Sequence, residues 1–330
     1  MRTNAIKRFT EYGALLLIWL ALLLFFAAIS NNFLKPSTLT ALANRIPTLM
    51  VVSAGMTFVL IIGGIDLSVG SVLGLAGAVL GLAMTDWNWP FWIAACLSLG
   101  VGLAAGLING LVSVWLGIPS FIVTLGMLEA LRGLAYLITH SQTKYIGSAV
   151  EPLARTVPGL GISPAFFLAV AVVVTGQLVL SRNVFGRYLI AIGANERAVR
   201  LAGIDPRPGK LLVFALLGLL TALGALFYTS RLGSADPNAG TGLELSAIAA
   251  VVIGGTSLMG GRGSVVNSFF GVLIIATLEA GLAQVGASEP AKRIITGLVI
   301  VLAVVLDSWR QHLAARPLLR RLLLPKSNQL

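Results

Sequence analysis

Long apolar runs recur along the whole chain and constrain its fold more than any other feature. Several of them hold 17 or more residues without an acidic or basic side chain, long enough for a helix to cross a bilayer. Only 11% of the residues are charged, against roughly 25% in a soluble domain. The sequence therefore predicts an all-α polytopic membrane protein in which residues 1–330 form a single transmembrane domain.

About ten crossings are predicted, beginning with an uncleaved first span at Tyr12–Ile29. The others are Ile46–Ile62, Leu67–Met84, Phe91–Leu116, Phe121–Ile138, Ala165–Leu180, Leu211–Thr229, Ser246–Met259, Val265–Val285 and Ile294–Leu306. The apolar run Ser246–Ile253 is too short to span the membrane alone at about 1.5 Å per residue, so it either extends to Met259 or is re-entrant. Polar loops are predicted at Ser30–Arg45, His140–Ser163 and Arg231–Leu243.

The distribution of basic residues predicts the orientation of these spans. With both termini in the cytoplasm, 15 Lys and Arg residues lie on the cytoplasmic side and 7 lie outside. The cytoplasmic excess is concentrated in a charged segment at about residues 182–210 and in a basic tail at 308–330. The charge of +11 is thereby explained by topology and does not indicate nucleic-acid binding.

A break interrupts the apolar sequence at residues 63–70. Gly63 and Gly64 weaken a helix, and Asp66 is costly in hydrocarbon unless it faces protein, water or a helix end. One interpretation is a tight hairpin in which Asp66 accepts hydrogen bonds from the N–H groups of residues 68 and 69. The other is a re-entrant or broken element beside a transport path, with Ser68 part of it.

A similar pattern occurs near the other end of the chain. Ile-Gly-Gly-Ile-Asp-Leu at 62–67 is echoed by Ile-Gly-Gly-Thr-Ser-Leu at 253–258, and Gly-Ser-Val at 70–72 by Gly-Ser-Val at 263–265. Duplicated glycine breaks indicate a transport site, although 37 glycines make a chance match equally plausible. We predict a second broken or re-entrant element at 254–263 that includes Gly254 and Gly255.

Two spans carry distinctive side chains. Gly102, Gly106 and Gly110 recur every four residues and predict a face for close helix packing. Glu129 and Arg132 share one face of the next span and are expected to neutralise each other, with a proton relay as the minor alternative.

The segment Asn195–Gly203 has the features of a short cytoplasmic helix. Asn195 suits the N-cap, Glu196 the first turn, and Gly203 the position after the helix end. Ala198, Leu201 and Ala202 make a small apolar face that fits a groove on a partner protein, and Arg197 and Arg200 are expected to pair with acidic groups on that partner.

Three motifs together resemble the signatures of ribose-type ABC sugar permeases. They are Gly-Gly-Ile-Asp-Leu-Ser-Val-Gly-Ser at 63–71, Gly-Arg-Tyr-Leu-Ile-Ala-Ile-Gly-Ala-Asn-Glu at 186–196 with Ala-Gly-Ile at 202–204, and residues 242–258 with Gly-Gly-Arg-Gly-Ser at 260–264. The likeness covers essentially the whole chain in order. Small departures are Ala194 and Asn267, where this family often has glycine.

The resemblance implies a multi-pass permease of the bacterial inner membrane. It implies three partners: a cytoplasmic ABC ATPase, a periplasmic sugar-binding protein, and a second permease copy or paralogue. The ATPase-coupling residues are then expected to be Asn195, Glu196, Arg197, Ala198, Arg200, Leu201 and Gly203. The expected substrate-path or structural-break residues are Gly63, Gly64, Asp66, Ser68, Glu244, Gly254 and Gly255.

Other functions remain open on the residues alone. The chain contains no Gly-x-x-x-x-Gly-Lys-Ser/Thr phosphate loop, so ATP is expected to bind a partner and this subunit to need no cofactor. Its single cysteine, Cys96, and its distant histidines, His140 and His312, do not indicate a metal site. The alternatives are a secondary transporter or channel that uses Asp66, Glu129 or Glu244 as a coupling carboxylate, and an ABC permease for branched-chain amino acids.

Overall fold

The computed structural model describes residues 2–299, 301, 302 and 305, and for residues 2–12 the backbone alone. The basic tail at 308–330 and parts of the predicted span Ile294–Leu306 lie outside the described residues. Twelve α-helices can be bounded there: α1 Arg2–Ile29, α2 Pro36–Arg45, α3 Pro47–Ile61, α4 Val69–Thr85, α5 Phe91–Trp115, α6 Ser120–Thr139, α7 Pro164–Arg182, α8 Val184–Ala194, α9 Glu196–Leu201, α10 Arg207–Leu232, α11 Leu243–Ile253 and α12 Val265–Gln284. Residues 289–299 are also helical.

The architecture is that of an all-α membrane protein. Five helices in the described part are long and apolar enough to cross a membrane, namely α5, α6, α7, α10 and α12. The pair α2 and α3, bent by 45° at Ile46, would make a sixth span. The prediction of about ten crossings with both termini cytoplasmic stays a prediction.

All three predicted loops contain regular structure. Ser30–Arg45 holds α2, which begins at Pro36, a residue favoured in the first helical turn, and buries Leu42 in the core. The loops after α6 and α10 pair as two short antiparallel strands, β1 Lys144–Tyr145 and β2 Ser234–Ala235, followed after β1 by a 3₁₀ helix at Gly147–Leu153.

The two helices around the first glycine break form the centre of the molecule. Every residue of α3 except Leu49 is buried, and α3 packs against α7, α10, α11 and α12. α4 is nearly as buried and packs against α5, α6 and α10. Helices apolar on all sides are expected in such a core. The outer helices instead expose large apolar side chains, such as Trp92 and Leu137, that suit a lipid environment.

The predicted small-residue face of the fourth span is confirmed. A Cβ atom added to Gly102 or Gly106 would overlap backbone oxygens of α10, and one added to Gly110 would lie 2.9 Å from Leu211 Cδ1. The backbones of α5 and α10 therefore approach closely, as small residues permit in membrane helices.

Candidate functional site

The first glycine break is a helix C-terminal turn that ends α3 and leads into α4, and these two helices pack mainly against different neighbours. Gly63 adopts a left-handed conformation, with φ of 76°, and its N–H donates to the Leu60 carbonyl at 2.9 Å. The N–H of Gly64 donates to the Val59 carbonyl at 2.9 Å, which completes a helix C-terminal motif that glycine favours. The chain then runs to Val69, where α4 begins, and Gly63 reaches the surface of the molecule.

Asp66 organises the interior of this turn. Its Oδ1 accepts from the Ser68 N–H at 2.8 Å and from the Ser68 hydroxyl at 2.7 Å, and the side chain is almost completely buried. The predicted hydrogen bond from residue 68 is confirmed, whereas the described structure shows none from Val69. Its Oδ2 accepts instead from Asn109 Nδ2 at 3.1 Å. Asn109 was not among the predicted site residues, although an amide within a glycine-rich apolar span was a usable signal.

Helix α6 holds the same turn from a second side. The Ser120 hydroxyl accepts from the Ile65 N–H at 2.9 Å, and the Thr124 hydroxyl accepts from the Leu67 N–H at 3.0 Å. These backbone groups would otherwise be buried without a partner, which is costly. Ser120 and Thr124 were also missed, because nothing local in the sequence links them to residues 65–67.

The second glycine break repeats the local geometry of the first. Gly255 has φ of 82° and donates to the Val252 carbonyl, and the N–H of Thr256 donates to the Val251 carbonyl. The Ser257 hydroxyl accepts from the Met259 N–H at 3.2 Å, as Asp66 accepts from Ser68. The sequence echo is therefore a structural one. The structural repeat is offset by one residue from the sequence repeat. Gly255 has the conformation and hydrogen bond of Gly63, whereas the aligned sequences place it opposite Gly64.

All three sequence signatures meet at one place, which we call the glycine junction. It comprises Ile61, Gly63, Gly193, Gly260 and Gly261. The N–H of Gly261 donates to the Ile61 carbonyl at 2.8 Å. A Cβ atom added to Gly193 would overlap that same carbonyl oxygen and lie 2.5 Å from the Gly261 nitrogen. The end of α8 thus contacts both glycine breaks, backbone against backbone.

The junction continues directly into the predicted coupling segment. Asn195 caps α9, with its Oδ1 accepting from the Ala198 N–H at 2.9 Å. Gly203 has φ of 81° and donates to the Arg200 carbonyl at 3.0 Å. Both predicted helix signals are confirmed. Leu201 is 83% exposed and Ala198 is also exposed, so α9 presents its small apolar face outward.

An ion-pair cluster fixes α9 to α10. Glu196 accepts from Arg200 at 2.6 Å and from Lys210, on α10, at 2.9 Å. Burial works to raise the pKa of Glu196, but the hydrogen bonds from Lys210 and Arg200 outweigh it and leave that pKa below its ordinary value. Arg200 is therefore paired inside the chain, contrary to the expectation that it pairs with a partner. Arg197 is exposed.

The remaining predicted site residue, Glu244, lies away from the glycine junction. Glu244 occupies the first turn of α11, and its carboxylate lies against Gly70 on α4. A Cβ atom added to Gly70 would lie 2.5 Å from Glu244 Oε2. Gly240 packs its carbonyl against Gly70 as well. The segment after β2 thus runs along α4 before α11 begins.

The predicted pairing of Glu129 with Arg132 is wrong. Arg132 Nη1 instead donates to the carbonyls of Pro237 and Ala239. It passes close to Gly74 on α4, where an added Cβ atom would lie only 2.6 Å from Nη1. The glycine leaves room for the guanidinium to reach across α4, where it donates to two buried carbonyls instead of to the exposed Glu129 carboxylate. Within the described residues neither Glu129 nor Glu244 forms an ion pair.

The sequence profile of the family described as "Branched-chain amino acid transport system / permease component" matches residues 38–304. The chain belongs to this permease family. The predicted family resemblance is confirmed, and the protein is a multi-pass permease component of the inner membrane.

Several characterised permeases are similar over nearly the full length. The ribose import permease protein RbsC of Escherichia coli K12 is 36% identical over 90% of this chain and 93% of its own length. The fructose import permease protein FrcC of Rhizobium meliloti is 32% identical over 91% and 86%. The D-allose transport system permease protein AlsC of E. coli K12 is 33% identical over 90% and 91%. No solved structure matches the chain.

Proposed function

We propose that this permease is the membrane-spanning subunit of an ABC importer that moves a monosaccharide into the cell. The observation that carries the proposal is the glycine junction, where the end of α8, directly before the capped and outward-facing helix α9, contacts both glycine breaks. The sugar specificity is inferred from the similar ribose, fructose and allose permeases.

In this proposal α9 is the helix that docks into a separate ATPase. Its cap and its positive-φ glycine make it short and rigid, and Glu196 fixes it to α10. A displacement of α9 would pass through Gly193 to Ile61 and Gly261, because packed backbones transmit movement with little compliance. Both glycine breaks would then move together. The residues proposed as structural elements of the moving glycine breaks are accordingly Gly63, Gly64, Asp66, Ser68, Gly254 and Gly255.

The rest of the importer is assigned by the same proposal. The termini and α9 lie in the cytoplasm, in agreement with the 15-to-7 distribution of basic residues. ATP binds the ATPase, and this subunit requires no cofactor of its own. A second permease copy or paralogue completes the membrane part, and a periplasmic binding protein delivers the sugar to the opposite end, where β1 and β2 pair.

The test is reconstitution of the permease with an ABC ATPase and a sugar-binding protein that copurify with it. We expect ATP-dependent uptake of labelled ribose, fructose or allose into vesicles, and no uptake by the permease alone under a proton gradient. Uptake by the permease alone would identify a secondary transporter and refute the proposal.

A second candidate substrate class is branched-chain amino acids, which the family description names. Labelled leucine in the same vesicles separates the two classes. Leucine uptake without sugar uptake would retain the importer architecture and replace the substrate.

A further inference from the structure

α6 and the segment that precedes α11 share a continuous set of polar side chains, which we call the polar face. Glu129, Arg132 and Tyr136 lie on one side of α6, since residues three and four apart are helix neighbours. The Tyr136 hydroxyl and Asn238 Oδ1 are 2.7 Å apart, and the Thr241 hydroxyl donates to the Asn238 carbonyl at 2.8 Å. Glu244 completes the set, and its carboxylate lies within electrostatic reach of Arg132.

The polar face lies deep in the membrane-spanning part of the protein. Glu129 is near the middle of α6, roughly 14 Å along the helix from Ser120 and roughly 15 Å from Thr139 at 1.5 Å per residue. Its side chain is exposed, and so are those of Asn238 and Thr241. A carboxylate at this depth is too costly to face hydrocarbon. The polar face therefore borders either water or protein.

The backbone of the segment favours water. Residues 236–242 are not helical, although Arg132 draws the carbonyls of Pro237 and Ala239 to mid-helix depth. Irregular backbone at this depth occurs where it is buried in protein or lines a water-filled cavity. Asn238 and Thr241 are exposed on the surface of this subunit, which favours the second case.

We propose that the polar face lines the sugar path, with Glu129 and Asn238 as residues that contact the passing sugar. This inference rests on the proposed function and deepens it. An exposed carboxylate accepts hydrogen bonds from neighbouring sugar hydroxyls, and an amide both donates and accepts. Arg132 and Tyr136 position the segment 236–240. The proposed contacts with the sugar are few and solvent-accessible, so they would bind it weakly and allow it to move on along the path.

The first test asks whether the face is wet. In a background with Cys96→Ser, we compare Glu129→Cys with Leu103→Cys, an exposed apolar position near the middle of α5. A charged, membrane-impermeant methanethiosulfonate reagent is the probe. We expect Glu129→Cys to react about tenfold faster or more, because only a thiol in water ionises and attacks the reagent readily. Equal or slower reaction would place the face in lipid or in a dry interface with a second copy, and would overturn the inference.

The second test measures labelled ribose uptake and ATP hydrolysis in the complete reconstituted importer. Glu129→Leu should lower uptake about tenfold, the effect of losing one hydrogen bond to a charged group, while ATP hydrolysis stays within about twofold. Glu129→Gln keeps an acceptor and should restore much of the uptake. Thr175→Leu, a polar-to-apolar control at an exposed position of α7 whose hydroxyl bonds only carbonyls of its own helix, should change neither rate.

The outcomes separate this inference from the function it deepens. Uptake that stays normal in Glu129→Leu, or falls only in proportion to ATP hydrolysis, overturns the sugar path. If the wild-type importer transports no sugar, the proposed function is refuted instead. The labelling experiment then still shows whether the polar face is in contact with water.

Discussion

Replacing Gly193 by alanine adds one methyl group at the centre of the glycine junction. The new Cβ would overlap the Ile61 carbonyl oxygen and stand 2.5 Å from the Gly261 nitrogen. Both neighbours are backbone atoms, which cannot rotate away as a side chain could. The end of α8 must therefore move off α3, or the junction must open.

The magnitude follows from two opposing effects. Overpacking against a rigid neighbour costs typically about 1–3 kcal/mol, and we take about 3 kcal/mol because the obstacle is backbone. Alanine inside a helix gains about 1 kcal/mol over glycine. The net loss of stability is then about 2 kcal/mol if the junction stays closed. Opening it instead sacrifices the Gly261–Ile61 hydrogen bond, about 1 kcal/mol, and separates α8 from both glycine breaks.

Either route should weaken coupling between ATP hydrolysis and transport. We would measure the thermal unfolding midpoint in detergent and the stimulation of ATP hydrolysis by sugar-loaded binding protein. Gly100→Ala is the matched control, because Gly100 lies inside α5 with no atom near the added Cβ. The reasoning is refuted if Gly193→Ala matches Gly100→Ala in both measurements.

Three further predictions concern single positions. Asp66→Asn should keep most transport, because its amide oxygen still accepts the hydrogen bond from Ser68. Asp66→Leu should unfold the turn and cost about 3 kcal/mol or more in stability, because it leaves buried donors unpaired. Sugar uptake and the amount of protein in the membrane distinguish the two variants. Ala198→Trp should leave the permease inserted but release the ATPase on copurification, since the bulky ring occupies the docking face. Single cysteines in a Cys96→Ser background should label from outside intact cells at Ser148 and only after permeabilisation at Ala194.

Each of these has a contrary result. Equal and severe loss in both Asp66 variants, at normal membrane levels, would give the carboxylate a role in proton transfer. Full ATPase retention and full stimulation with Ala198→Trp would remove α9 from the coupling route. External labelling at Ala194 would reverse the orientation of the whole chain.

Features that depend on neighbours in the sequence were predictable. The helix signals at Asn195 and Gly203 were identified correctly because a cap and a positive-φ glycine act within one turn. The glycine face of α5 was identified for the same reason, since its spacing is set by helix geometry. The turn at Asp66 was half predicted: the bond from Ser68 is local, but the bond from Asn109 comes from another helix.

Features that depend on distant partners were not predictable. Glu129 and Arg132 have the right spacing for a pair, yet Arg132 binds carbonyls more than 100 residues away because Gly74 leaves room for it. The helix α2 was missed because a short, largely polar segment gains its helical stability from packing, not from its own sequence.

The sequence by itself determined that this is an all-α membrane protein, where its glycine breaks fall, and that it belongs to a permease family. The length of apolar runs, helix capping signals and the order of motifs depend only on residues that are neighbours in the sequence, so they can be identified without a three-dimensional structure. Only the tertiary structure decided that the three motifs converge on one junction and that a separate polar face lies at the middle of α6. Both are formed by contacts between segments far apart in the chain, up to 200 residues for Gly261 on Ile61, and no local pattern encodes which segments will meet.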